Sequence, residues 1–500
     1  MMKKEVNKTI AQINRKSLRL PALLALLIYA TIFQSSAQTK KPNVVLILID
    51  DMGYKDAGFT GSDFYDTPNI NALAKQGMVF NNAYAAAGNC APSRACLISG
   101  EYTPRHGIYA VYNTERGPIN QMRAVPIPNT SKLRPDIYTV AEAMRDAGYK
   151  TAMFGKWHLG SEKSNTMPAD QGFDVDSSYN VPSKEEMAKT NDPKWIYRIT
   201  NGACEFIENN KDKPFFVYVS HHATHMPIQA REEMVERFKD KAAGKFQSNK
   251  KYASMNSQMD DGVGILLKKI KDLGLDDNTL VIFTSDNGGL PQSPQTPFRG
   301  FKGMYYEGGI KEPFIARWPG VIKPGTQNNV PIINIDLYPT FIDVAGRKNK
   351  AGNILDGESL VKLFKGGSQL ERKSIFWHFP GYLDGPDPGS RDSLFRSRPV
   401  TTIRKGDWKL MLYHEEWALD GGLKTINTNK AVELFNLKTD VSEQKNLANL
   451  NKQKRDELLG ELLAWIKKTD AKLAVEPNPH YGKAQVKNKP IKPKGDDLDE

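Results

Sequence analysis

Three unbroken apolar stretches constrain the fold of this 500-residue chain more than anything else in it: Asn43-Val44-Val45-Leu46-Ile47-Leu48-Ile49, Pro214-Phe215-Phe216-Val217-Tyr218-Val219 and Thr279-Leu280-Val281-Ile282-Phe283-Thr284. A strand with one wet face alternates apolar and polar residues. A run without alternation is dry on both faces, as in the middle of a parallel or mixed sheet covered by helices. Helical segments lie between the runs: Thr67 to Gly77, read as capped and closed by glycine, and Tyr138 to Ala147 before Gly148. Thr151 to Phe154 reads as a short strand. The expectation is a layered α/β fold with a large mixed sheet. Each long run stops at polar residues, at the carboxyl edge where such sheets carry their ligands.

The texture changes after Gly367. Ser374–Phe379, Arg404–Leu412 and Glu433–Leu437 look like antiparallel strands with turn punctuation, followed by a helix from about Lys452 to Lys468. The expected division is a leader over 1–37, a catalytic domain over 38–370, a smaller α+β domain over 371–475 and a poorly ordered Pro- and Lys-rich tail over 476–500. The leader has Lys3, Lys4, Lys8, Arg15, Lys16 and Arg19 ahead of an apolar stretch from Leu20 to Phe33, then Ser35-Ser36-Ala37. That is the layout of a cleavable secretory signal, so a periplasmic or secreted protein with no mature membrane span is expected. The stretch is shorter than the roughly 20 residues of a spanning helix, an uncleaved anchor being the alternative. No cysteine follows it to take a lipid.

Only three cysteines occur, Cys90, Cys96 and Cys204, which excludes a disulfide framework; Cys96 and Cys204 are expected to be reduced and buried. The formal charge is +12, and without the leader about +7, an excess that favours polyanions. With no arginine-rich arm or reader motif, a sulfated polysaccharide fits that charge better than nucleic acid.

Four segments carry chemistry. Asp50-Asp51 are adjacent carboxylates that repel unless a cation or donors hold them; a turn or helix cap is the plainer alternative. Asp286-Asn287 pairs a charged with a neutral oxygen donor, as a hard cation prefers, or is simply an Asn-Gly turn. Lys156 and His158 stand two apart, which on an extended segment projects them to one face. His221, His222 and His225 crowd together without the helical spacing or neighbouring ligands of a zinc site.

The run Cys90-Ala91-Pro92-Ser93-Arg94-Ala95-Cys96-Leu97-Ile98-Ser99-Gly100 resembles the maturation signature of type I sulfatases, and Gly155-Lys156-Trp157-His158-Leu159-Gly160 is similar to a segment of the same family. So are His222-Ala223-Thr224-His225-Met226-Pro227 and Gly300-Phe301-Lys302-Gly303. The resemblance implies an alkaline-phosphatase-like fold and a sulfuric ester hydrolase. It implies that Cys90 becomes formylglycine through a maturation enzyme, beside one Ca2+ (rather than Mg2+) held by Asp50, Asp51, residue 90, Asp286 and Asn287. Lys156 and Lys302 would bind the sulfate, His158 take the nucleophile's proton, His225 protonate the leaving alcohol, and Arg94 support the nucleophile and its carboxylates. Ser177 and Ser178 follow Gln171-Gly172-Phe173 without a clear match to the family's serine and take no role. His378, Arg396, Arg398 and Arg404 are candidates for a sugar subsite, or surface charges at strand ends. The expected substrate is an algal-type polysaccharide such as ulvan or carrageenan. A glycosaminoglycan, a phosphonate or phosphodiester substrate, an inactive polysaccharide-binding role and a thiol hydrolase are the alternatives.

Overall fold

The structure, a computed structural model, describes residues 41–178 and 183–484; the leader and the tail beyond 484 lie outside the described residues. Eight strands make the large sheet: β1 (Asn43–Ile49), β2 (Met78–Phe80), β3 (Lys150–Gly155), β4 (Val175–Ser178), β5 (Phe215–His221), β6 (Thr279–Ser285), β7 (Ile315–Arg317) and β8 (Thr326–Asn328). Their order is β4-β3-β5-β1-β6-β7-β2-β8. The five strands from β4 to β6 are parallel, and β7 runs antiparallel to both neighbours.

The period of two along β1 builds the layers. Val44, Leu46 and Leu48 enter one apolar cluster with α2 (Cys90–Ser99), α3 (Val140–Asp146) and α6 (Leu337–Val344). Val45, Ile47 and Ile49 enter another with α1 (Pro68–Gln76), α4 (Ile196–Asn209) and α5 (Lys250–Asp272). Every residue of β1 is buried, as an unalternating run requires, and each large side chain so covered contributes about 1.5–3 kcal/mol.

Two helix starts show how local chemistry sets boundaries. Thr139 and Glu142 exchange side-chain-to-backbone hydrogen bonds in a capping box, so α3 begins at Val140. Thr67 does not cap α1: its hydroxyl accepts from Gly58 N at 3.0 Å. Asp260 of α5 takes over, accepting from Asn69 N at 3.0 Å and Ile70 N at 2.8 Å.

The second sheet is antiparallel, in the order β9 (Ser374–Phe379), β10 (Val400–Lys405), β11 (Trp408–Tyr413) and β12 (Val432–Asn436), with α7 (Lys452–Thr469) packed on it. The Arg404–Leu412 stretch folds as a hairpin about Gly406, whose φ of 58° suits a two-residue turn led by glycine. Apolar packing crosses the division expected near residue 370: Tyr84, Cys96 and Tyr305 share a cluster with Trp377, Leu410 and Trp465. The first part of the expected tail is tied down, because Val125 N donates to Glu476 O at 2.8 Å and Asn478 Nδ2 to Met122 O at 2.8 Å. Among the described residues no helix is long and apolar enough to cross a membrane.

Candidate active site

Register decides what meets at the sheet edge. Ile49 pairs with His221 on one side and Ser285 on the other, and Gly155 pairs with Ser220. The residues that follow these four strands therefore emerge side by side: Asp50 and Asp51 after β1, Lys156 and His158 after β3, His225 after β5, Asp286 and Asn287 after β6. Opposing hydrogen bonds, Asp50 N to Ala223 O at 3.0 Å and Thr224 N to Asp50 O at 2.6 Å, clamp the β1 loop to the His225 loop. Cys90 opens α2, so the positive end of that helix lies at residue 90.

Cys90 Sγ lies 3.5 Å from Asp51 Oδ1. Lys302 Nζ is 2.8 Å from Asp51 Oδ2, and Lys156 Nζ is 2.7 Å from Asp50 Oδ2. Arg94, one helical turn after Cys90, donates from Nε to Asp286 Oδ2 at 2.8 Å and from one terminal nitrogen to Lys156 O at 2.9 Å, and binds Ser220 Oγ. Its other terminal nitrogen is 3.4 Å from Asp50 Oδ1. Asn287 Nδ2 donates to Asp51 Oδ1 at 2.8 Å. Eight of the ten residues expected at the nucleophile and metal are joined by these contacts.

Burial disfavours ionisation of Asp50, but Lys156, His225, Arg94 and Lys302 together outweigh it and hold its carboxyl well below the usual range. Asp51 follows the same balance, with Lys302 its strongest partner. Burial and the two aspartates push the Cys90 thiol well up. His158 is held well below its ordinary value by burial, then by Lys156 and Arg94, and both its ring nitrogens are buried without a hydrogen-bond partner. His158 has φ +63° and Gly155 φ +95°, so the chain after β3 is not extended and the same-face argument for Lys156 and His158 does not hold. An irregular turn follows β3 instead, and leaves His158 within the field of Lys156 and Arg94.

His225 Nδ1 lies 2.6 Å from Met226 O, and a carbonyl only accepts, so Nδ1 carries the proton. Nε2 then faces Asp51 Oδ2 at 3.6 Å with its lone pair free. Burial and Lys302 lower the His225 pKa to about 4.

The pocket fits a divalent cation. Ligand atoms of Asp50, Asp51, Cys90 and Asp286 all lie within 4.8 Å of one another, and Asn287 Oδ1 is a buried carbonyl oxygen without a partner. Three carboxylates face three cations, Arg94, Lys156 and Lys302, so a divalent ion makes the pocket net positive and suited to an anionic ester.

The sulfatase family profile matches residues 42–347, and a profile described as N-sulphoglucosamine sulphohydrolase, C-terminal, matches residues 300–472. The chain belongs to the sulfatase family. It is a sulfuric ester hydrolase. A sulfatase of Formosa agariphila is 30% identical to it over 530 residues, covering 87% of this chain and 92% of the relative. The N-acetylgalactosamine-6-sulfatase of Mus musculus is 30% identical over 390 residues, 71% of this chain and 72% of its own. The crystal structure of Ps i-CgsB in complex with k-i-k-neocarrahexaose matches at a TM-score of 0.69 and 27% identity, covering 88% and 95% of the two chains.

The four candidate sugar-subsite residues of this sulfatase divide. His378 is interior, 2.8 Å from Thr401 Oγ1 and 3.1 Å from Lys472 O, with its pKa lowered to about 3 by burial. Arg404 is buried too, its guanidinium 5.0 Å from the Tyr84 ring centre and 3.9 Å from Glu307. Neither lines a sugar site, because strands β9 and β10 turn these side chains into the core. Arg398 is held between Asp392 and Glu415. Arg396 alone has its place beside the Lys302 loop, its Cδ against Gly303 and its side chain 30% exposed. Ser178 ends β4 next to Gly155, with its backbone N bonded to Asp176. Two supports escaped the sequence reading: Ser220, which holds Arg94, and Asp56, which gathers Gly53 N, Tyr252, Ser293 and Gln295. No motif marks either one.

Proposed function

We propose that this sulfatase removes sulfate from a sulfated carbohydrate, an algal-type polysaccharide or its oligosaccharides such as ulvan or carrageenan, through formylglycine at residue 90 and one Ca2+. One observation carries the reading: Cys90 sits at a helix N-terminus, 3.5 Å from Asp51, in a buried pocket where carboxylates and cations balance. Formylglycine, made from Cys90 by a separate maturation enzyme, supplies as its hydrate one hydroxyl to attack sulfur and a second to expel the sulfate. Asp50, Asp51, Asp286 and Asn287 would hold the Ca2+, a hard cation matched to oxygen donors, which supplies charge against the sulfate.

The chain's own groups do the rest. Lys156 and Lys302 take the non-bridging sulfate oxygens, exchanging part of their hold on Asp50 and Asp51. His158, neutral and unpartnered, takes the proton of the attacking hydroxyl. His225 must carry a second proton on Nε2 to protonate the leaving alcohol, and the charge of a bound sulfate opposes the Lys302 field that keeps that proton off. Arg94 keeps Asp286 and the Lys156 backbone in place. In this reading residues 1–37 send the chain to the periplasm or beyond the cell.

The neocarrahexaose complex supports an algal substrate; the mouse relative supports a glycosaminoglycan as the second reading. Free sulfate measured from algal and glycosaminoglycan oligosaccharides, beside phosphate from a diester, tests the proposal. Sulfate from the algal set is expected. Release from glycosaminoglycans alone moves the substrate to the second reading, and faster turnover of the diester overturns sulfate specificity.

A further inference from the structure

Residue 90 is encoded as a thiol, and in that form the pocket offers a donor set with no place in sulfate cleavage. One ligand atom each from Asp51, Cys90 and His225 lies within 4.8 Å of the other two. Cys90 Sγ is 3.5 Å from Asp51 Oδ1, and His225 Nε2 is 3.6 Å from Asp51 Oδ2. The first is an ordinary thiol hydrogen bond, and the second is too long for a hydrogen bond. The two contacts reach different Asp51 oxygens; a tetrahedral zinc site, with bonds of about 2.3 Å to sulfur and about 2.0–2.2 Å to nitrogen or oxygen, would draw one of those oxygens, the sulfur and the nitrogen to separations of about 3.3–3.6 Å. A second observation points the same way. His225 Nδ1–H is tied to Met226 O at 2.6 Å, the outer hydrogen bond that fixes a metal-binding histidine with its Nε2 lone pair inward.

We propose that the unconverted chain, with Cys90 still a thiol, binds one Zn2+ through Cys90 Sγ, His225 Nε2 and Asp51, and that conversion of residue 90 abolishes this site. Binding releases the thiol proton to solvent and leaves a thiolate–zinc bond. Once sulfur is replaced by an aldehyde, oxygen donors dominate and the pocket turns to a hard cation. The chemical state of residue 90 thus decides whether the pocket, whose Asp50, Asp51, Asp286 and Asn287 offer oxygens in both forms, also has the sulfur that zinc takes. Zinc at this position covers residue 90 and engages His225, so the immature protein is locked as well as inactive. This centre uses the pocket of the proposed function but needs the thiol rather than the aldehyde, so the two readings fail separately.

The test uses tag-free full-length protein made without a maturation partner, its residue 90 thiol verified by peptide mass. Co2+ serves as the spectroscopic probe and Zn2+ is titrated against a chelating indicator. Expected are one equivalent of zinc, a sulfur-to-cobalt charge-transfer band, and at least a tenfold weaker zinc affinity in Cys90→Ser and in His225→Ala. Cys96→Ala, which removes the other Cys–His pair (Cys96 Sγ 3.3 Å from His106 Nε2), should keep the band. No charge-transfer band in the unsubstituted thiol form overturns the proposal, whatever the variants do. A band that survives Cys90→Ser, or equal zinc affinity in the aldehyde form, overturns it as well.

Discussion

Arg94 sets the electrostatics around residue 90. It is fully buried and binds two aspartates, so Arg94→Met leaves Asp50 and Asp286 short of a counter-charge. Removing one partner of a buried pair costs about 3–5 kcal/mol. That loss should appear in urea denaturation of chelator-treated protein and shrink with saturating Ca2+, which replaces the missing charge. An equal loss in both conditions would remove the cation from the pocket. His225→Ala tests the acid. Positioned acids contribute about 10²–10⁴-fold, and a sugar alcohol needs one more than a phenol does. The variant should lose sulfate release from oligosaccharides far more than from an activated aryl sulfate; equal losses would leave His225 with a binding role alone. The converging residues were legible one motif at a time: Asp50, Asp51, Asp286 and Asn287 directly follow long strands and Cys90 opens a helix, whereas Lys302 lies in a loop that only its motif marks. His378 and Arg404 misled because a strand's two faces look alike in a sequence until the partner layer is known, and both side chains face inward.

At the scale of elements, the long strands were legible and their neighbours were not. Strands β1, β5 and β6 declare themselves by seven buried residues each, whereas β2, β7 and β8 have three apiece and carry too little pattern. The start of α1 was read as self-capped, yet its cap comes from Asp260, 191 positions away from Asn69. Contacts of that separation leave no local trace. Asp260 also titrates: burial pushes its carboxyl up to about 6, although Ile70 and Asn69 donate to it. The folded chain then holds a proton that the unfolded chain has already released, so its contribution to stability falls as pH rises from about 4 to 6. Asp260→Asn should flatten that part of the stability–pH curve, read as the urea midpoint at each pH. An unchanged slope would show that Asp260 keeps an ordinary pKa. Tyr252 joins two site loops, bonding Thr224 Oγ1 at 2.7 Å and Asp56 Oδ2 at 2.6 Å. Tyr252→Phe should lower kcat with little change in KM; a KM effect alone would place Tyr252 outside the positioning of His225.

For the whole molecule, the question is what joins the second sheet to the first. The shared apolar cluster does most of it, around a fully buried charge group. Lys409 Nζ lies 3.1 Å from Glu307 Oε1 and 2.8 Å from Glu443 Oε1, and Tyr84 donates to Glu307 at 2.6 Å. Glu307 follows the Lys302 loop, so the join braces a segment of the active site. Lys409→Met should cost about 3–5 kcal/mol in a single cooperative transition. Two separated transitions would mean that the second sheet melts by itself.

The account turns on residue 90, and peptide mass spectrometry across it tests that most directly, on protein produced with a formylglycine-generating partner. The account predicts an aldehyde in place of the Cys90 thiol, with sulfate release rising in proportion to its fraction. An intact thiol in protein that releases sulfate at full rate would contradict it.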